Sequence, residues 1–142
     1  MIADFNDAFH RHKQDCQILY EEKRWANADH LAGLAAECGL KAVMMALGMP
    51  VDKKSGSPRS KKYRVHLPAI WNAFQQFVAN THGAILALHL STPSPFAHPH
   101  VWHVAQRYEP QSNFTKAVVD DHLEGLKEVE NVYNRAKLAG FI

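Results

Sequence analysis

Apolar residues recur at three- and four-residue spacing through most of the chain, and strand-type alternation of useful length appears nowhere, so the pattern predicts an all-α protein. From Asp4 to about Lys23, positions Phe5, Ala8, Phe9, Cys16, Leu19 and Tyr20 mark one helix face, with Asp4 placed to cap the start. The run Glu21-Glu-Lys-Arg24 reads as a break or a continuation. Trp25 to Leu47 forms a second helix rich in Ala, Leu and Met, stopped by Gly48 with Pro50 beyond it. Its stripe Ala28, Leu31, Leu34, Ala35, Cys38, Ala42 and Met45 predicts the packing face, and Gly33 and Gly39 leave room for a neighbouring backbone to approach.

Pro68 suits the first turn of a third helix, whose Ile70, Trp71, Phe74, Phe77 and Val78 make a wide apolar face that runs to about Asn80 and should dock on helix two. Gly83 to Leu90 allows a short helix. Thr115 caps the last helix, Phe114 and Val119 are placed as a hydrophobic staple, and Val119, Leu123, Leu126, Val129, Tyr133 and Ala136 carry its stripe towards Gly140. The expected architecture is a four- to five-helix up-and-down bundle, residues 1–142 forming a single domain, since half of 142 residues would bury too little to fold alone.

Two segments fall outside this periodicity. Residues 48–65 carry Lys53, Lys54, Arg59, Lys61, Lys62 and Arg64 against Asp52 alone, a local charge of +5 in a chain whose formal net charge is +2. With Ser55-Gly-Ser-Pro58 at its centre it reads as a mobile basic loop, either a solvated surface or a contact for phosphates. Residues 91–113 form a Pro- and His-rich loop that opens with three of the seven prolines, and a loop of that length in a small domain invites a functional explanation.

Composition narrows the classes further. Apolar residues make up 46% of the chain and charged residues 21%, which suits a folded domain and excludes a disordered one. The modest net charge excludes a uniformly basic coat for nucleic acid, though not a local patch. Cys16 and Cys38 are the only cysteines, too few for a disulfide framework or a Cys-rich zinc module, and a reducing cytoplasm fits them. The most apolar stretch, Leu31 to Met49, is interrupted by Glu37 and Lys41, so no membrane span is expected, and the acidic start has no export signal. Ten histidines make the net charge climb steeply just below neutrality.

Three short segments, in order, have a familiar look: Ala35-Ala-Glu37-Cys-Gly-Leu40-Lys41-Ala42 on helix two, His66-Leu67 before an apolar helix, and Arg107-Tyr108 before the last helix. Together they resemble the HEPN (higher eukaryotes and prokaryotes nucleotide-binding) family, over most of the chain. The resemblance implies a helical bundle that often dimerises and belongs to prokaryotic toxin–antitoxin or antiviral defence modules. It also implies a partner, a nucleotidyltransferase or an antitoxin, and in some members a metal-independent endoribonuclease without cofactor.

Ribonuclease members carry an Arg followed after four to six residues by a His. Two pairs here have that spacing, Arg24 with His30 and Arg59 with His66, whereas the next histidine after Arg107 is His122. The chemistry is intelligible: a His takes the proton of a ribose 2′-hydroxyl while an Arg stabilises charge building on phosphorus. We prefer Arg59 with His66, because a basic loop feeding a helix start offers a phosphate clamp, while Arg24 and His30 lie near the buried stripe. The catalytic candidates are therefore His66, Arg59 and Arg107, and the RNA- or nucleotide-binding candidates are Arg107, Tyr108, Lys53, Lys54, Lys61, Lys62 and Arg64. His66 can equally be a helix-start residue bonded to backbone. Glu37 and Lys41, four apart, read as a semi-buried structural pair; Arg107 reads either as an anion fork or as a partner for Glu37. His98, His100 and His103 have a zinc-compatible His-x-His-x-x-His spacing but no nearby thiol or carboxylate to complete a closed site, so no metal is assigned. The aromatic face of helix three, with Phe96 and Trp102, looks larger than one small bundle can cover, which predicts a homodimer. The alternative to the enzyme is a non-catalytic dimeric partner of a nucleotidyltransferase or another effector.

Overall fold

In a computed structural model that describes all of Met1–Ile142, four α-helices carry the chain: α1 (Phe5–Glu21), α2 (Trp25–Ala46), α3 (Ala69–Val78) and α4 (Lys116–Leu138). Short 3-10 turns occupy 61–63, 84–89, 104–108 and 111–113, and the only strand-type pairing is an isolated bridge between Val51 and Pro58. The protein is an all-α helical bundle. No helix is long and apolar enough to cross a membrane.

The Asp4 carboxylate accepts from the Asp7 amide at 2.9 Å and starts α1. The acidic-basic run that follows α1 is a break: Glu22 and Arg24 amides return to the Ile18 and Leu19 carbonyls, and Lys23, at φ +56°, turns the chain so that α2 folds back on α1. At the other end Thr115 Oγ1 accepts from the Val118 amide at 3.4 Å, with Phe114 and Val119 both buried at the start of α4.

α2 is the axis of the molecule. It packs against α1, α3, α4 and the 104–108 turn, and its buried positions cover most of its circumference rather than one stripe: Ala28, Ala32, Ala35, Ala36, Leu40, Ala42, Val43 and Met44 are covered. Leu31, Leu34, Cys38 and Met45 of the expected stripe are only half-buried. A helix surrounded on several sides needs small residues on each of them, which is why Ala and Gly dominate it. The two glycines accommodate side chains, not a backbone as expected. A Cβ on Gly33 would lie 1.9 Å from the Trp102 indole, and one on Gly39 would meet Val129 at 2.7 Å and Phe9 at 3.0 Å.

α3 ends at Val78 and buries Ile70, Trp71, Phe74 and Val78 against the core. Residues 84–89 form a 3-10 turn whose Leu86 joins the core. The 91–113 segment is a strap across the bundle. Phe96 and Trp102 are fully buried in it, Trp71 Nε1 donates to the Ser91 carbonyl at 3.0 Å, and Ser91 Oγ donates to Glu128 of α4 at 2.7 Å. The aromatic surface that suggested a homodimer is thus covered within one chain, so those residues no longer argue for a second copy.

The 48–65 segment is a hydrogen-bonded turn, not the free loop its composition suggested. Asp52 Oδ1 accepts from the amides of Lys54 and Ser55 and from Ser55 Oγ, and those bonds hold its carboxyl below the usual range. Gly56, at φ +71°, packs so closely on the N-terminal segment that a Cβ there would meet the Ala3 carbonyl at 2.5 Å. The basic side chains Lys53, Lys54, Arg59, Lys61, Lys62 and Arg64 all project from this turn into solvent.

Candidate functional site

Two polar clusters interrupt the core, and they differ in access. The first is centred on Asp29 of α2, fully buried. Its Oδ1 lies 2.6 Å from His122 Nδ1 of α4, its Oδ2 accepts from Gln106 Nε2 at 2.6 Å, and its backbone carbonyl accepts from Trp102 Nε1 at 2.9 Å. His122 Nε2 reaches the His100 carbonyl at 2.9 Å. A carbonyl only accepts, so Nε2 donates to it, and Nδ1 faces a carboxylate, an arrangement that favours the doubly protonated ring. Burial opposes that charge, but the bond to Asp29 and its negative charge outweigh it and hold the ring above the ordinary histidine value. Closed to solvent, this cluster ties α2, α4 and the strap together.

The second cluster opens outward. Glu37 of α2 is 6% exposed, and its two carboxylate oxygens serve two cations or donors: Lys41 Nζ at 2.7 Å on Oε1 and His66 Nδ1 at 2.8 Å on Oε2. Lys41, itself buried, also stands 5.5 Å from the Phe5 ring centroid. His66, just before α3, keeps 52% of its side chain exposed. With Nδ1–H committed to the carboxylate, the tautomer is set, and the lone pair of the neutral ring is on Nε2. Thus Glu37 and Lys41 do pair, and Glu37 also takes His66, a convergence that sequence spacing alone did not indicate; the backbone bond considered for the His66 ring is not its contact.

The other candidates separate into distinct places. Arg59 Nε donates to the Val51 carbonyl at 3.1 Å and Arg64 Nη2 to the Arg59 carbonyl at 2.6 Å, and both line one polar recess with Asp52, Ser55 and Ser57. Arg107 neither pairs with Glu37 nor contacts His66: it donates to the Val104 carbonyl at 3.0 Å and lies 4.7 Å from the ring centroid of the exposed Tyr108. Its charge is felt instead by His30, which stacks on Trp102 at 5.8 Å and is held below the usual histidine value by burial first and Arg107 second. His30 and Glu37 are seven residues apart, two turns of α2 on one face, about 10 Å along its axis. Arg24 is exposed at the N-terminal end of α2.

The three strap histidines do not converge on one point. His100 Nε2 faces Asp121 at 3.5 Å, His103 Nε2 faces Glu109 at 2.7 Å, and no group of three metal-ligating side chains forms anywhere in the chain. Both cysteines are free, and burial pushes each thiol up to about 12. They are packing residues at neutral pH.

Sequence reasoning passed over Asp29, His122 and Gln106. His122 falls within the predicted stripe of α4, between Val119 and Leu126, and a titratable residue there was the available signal, whereas Asp29 lies off the predicted stripe of α2 and offered none. No protein-family model matches the chain, and no curated protein and no solved structure matches it either.

Proposed function

We propose that the chain is a HEPN-like protein that binds RNA or nucleotide through its basic turn, in a prokaryotic defence or toxin–antitoxin setting, and that His66 is its general base for metal-independent RNA cleavage. One observation carries this reading: a half-exposed imidazole is oriented by a buried carboxylate and follows directly on a turn of charge +5. A carboxylate that fixes the tautomer of a histidine and leaves its other nitrogen free is the arrangement a proton acceptor needs. His66 Nε2 takes the proton of a 2′-hydroxyl, the 2′-oxygen bonds to phosphorus, and the bond from phosphorus to the 5′-oxygen breaks as that oxygen takes a proton, leaving a 2′,3′-cyclic phosphate. Lys61, Lys62, Arg59 and Arg64 supply the positive field for the strand, and Arg107 with Tyr108 a second contact.

The non-catalytic alternative is favoured by a specific observation: no arginine hydrogen bonds to or pairs with the His66 ring, and Arg59, Arg64 and Arg107 each donate to a backbone carbonyl instead. The test is cleavage of a mixed RNA pool by the whole chain in excess chelator. The reading expects cyclic-phosphate ends and their loss in His66→Ala. Intact RNA, with binding that still depends on the basic turn, selects the non-catalytic partner.

A further inference from the structure

α1 and α4 flank α2 on one side, and no Cα of one comes within 8 Å of a Cα of the other. The slot between them is bridged at both ends. At one end Lys13 Nζ meets Glu130 at 2.8 Å and His10 Nε2 lies 3.2 Å from Tyr133 Oη. At the other, Tyr20 Oη donates to Asp120 at 2.5 Å, and Lys116 holds the second oxygen of that carboxylate at 2.7 Å. Between the bridges lies a recess of about 630 Å³ lined by the apolar atoms of Cys16, Ile18, Leu123 and Leu126. Cys16 donates its proton to the Ala28 carbonyl, so the floor presents a neutral thiol.

Three features define the occupant. Length comes first: Lys13 and Tyr20 are seven residues apart, so the open stretch is about 10 Å long. A docked helix would have to run through both cross-bridges, whereas a compact molecule fits between them, in a volume typical of small-ligand sites. The rim is the second feature, with two cations, Lys13 and Lys127, and one acid, Glu130. Third, Lys127 is held only by Glu124 of its own helix, at 2.8 Å with both side chains about two-thirds exposed, a pair that an anion can replace at little cost.

We propose that the α1–α4 slot binds a small monoanion with a compact apolar body, of the class of a medium-chain or aryl carboxylate. Its apolar part lies over Cys16, Leu123 and Leu126, and its carboxylate meets Lys127. The slot shares no residue with the His66 cluster, so this inference stands apart from the function proposed above.

Octanoate titrated into the whole chain, followed by methyl NMR, tests it, with octan-1-ol and octylamine as neutral and cationic comparators. Saturable binding is expected at one site, with shifts concentrated at Ile18, Leu123 and Leu126. Octan-1-ol should bind about tenfold more weakly because it lacks the charge-assisted bond to lysine, and octylamine more weakly still. Ile18→Glu, at a position 58% exposed and so tolerant of charge, should weaken octanoate at least about tenfold with the thermal midpoint unchanged. Absence of saturation, shifts centred on other methyl groups, equal affinity for octanoate and octan-1-ol, or an Ile18→Glu variant that binds as well as the parent would each overturn the proposal.

Discussion

Asp29 and His122, ninety-three residues apart in the chain, meet at 2.6 Å in a place that neither side chain shares with solvent. Removing one partner leaves the other buried and unpaired, which typically costs about 3–5 kcal/mol. His122→Ala is expected to lower unfolding stability by about that amount in urea titrations. A change below about 1 kcal/mol would show the pair to be structurally idle.

The same pair sets a pH dependence of definite sign. His122 has a native value above the 6.5 of an unperturbed histidine, so the native state binds its proton more tightly than the unfolded chain does. Its contribution is present in full below about 6.5 and is lost as pH rises through the higher native value. His12 and His30, lowered chiefly by burial, work in the opposite direction and cost stability as pH falls below 6.5. NMR titration separates them: the His122 ring should titrate above free histidine, and His12 and His30 below it.

Gly33 lies against the Trp102 indole with no room for a methyl group. Gly33→Ala should therefore destabilise by about 1–3 kcal/mol although alanine is the better helix former, because overpacking outweighs a propensity gain of about 1 kcal/mol. Trp102 fluorescence should report the displaced ring. A Gly33→Ala variant as stable as the parent would mean that the strap is not seated on α2 as described.

Neutral thiols near pH 7 are expected at Cys16 and Cys38, since both are pushed up to about 12 by burial. Native protein should react with a thiol reagent far more slowly than the urea-unfolded chain, and two thiols should appear on unfolding. Fast reaction of Cys16 in the native state would contradict its burial.

For the proposed ribonuclease, His66→Ala should lower the cleavage rate by about a hundredfold or more, the size usual for a positioned general base. Glu37→Gln keeps a hydrogen-bonding partner for Nδ1 but removes the carboxylate that orients the ring, so its rate should fall less than that of His66→Ala. Arg107→Ala tests the more distant contact and should weaken RNA binding more than it slows turnover. If all three variants cleave like the parent, the base lies elsewhere.

Binding of RNA should depend on salt and fall sharply when Lys53, Lys54, Lys61 and Lys62 are changed together to Ser, because these exposed cations supply the counterion-release term. Folding should survive, since the turn is held by Asp52, Ser55 and Gly56 rather than by the lysines. Equal affinity at matched ionic strength would leave the basic turn as a solvated surface.

Much of the helical framework is local in origin and was legible in the sequence for that reason. Asp4 and Thr115 cap helices because a short polar side chain reaches an amide three residues on, and the stripes of α3 and α4 are buried except at Phe77 and Leu123, which are half-buried. The pairing of Glu37 with Lys41 is equally local, one helical turn apart. Contacts made by residues far apart in sequence left no such trace. Which faces of α2 are covered depended on three helices and a strap arriving from different parts of the chain, and Gly33 found its reason only in Trp102. The basic turn looked mobile from its Ser, Gly and Pro content, yet its order comes from Asp52 gathering three donors and from Gly56 meeting the N-terminal segment. Side-chain chemistry was the least legible of all. His66 stood out by its neighbours in sequence, but its partner Glu37 is twenty-nine residues away, and Asp29 met His122 only because α2 and α4 pack side by side. Periodicity records which residues must leave water; which polar groups then share the same buried space is settled by the packing of whole elements, where an unpaired charge would cost several kcal/mol.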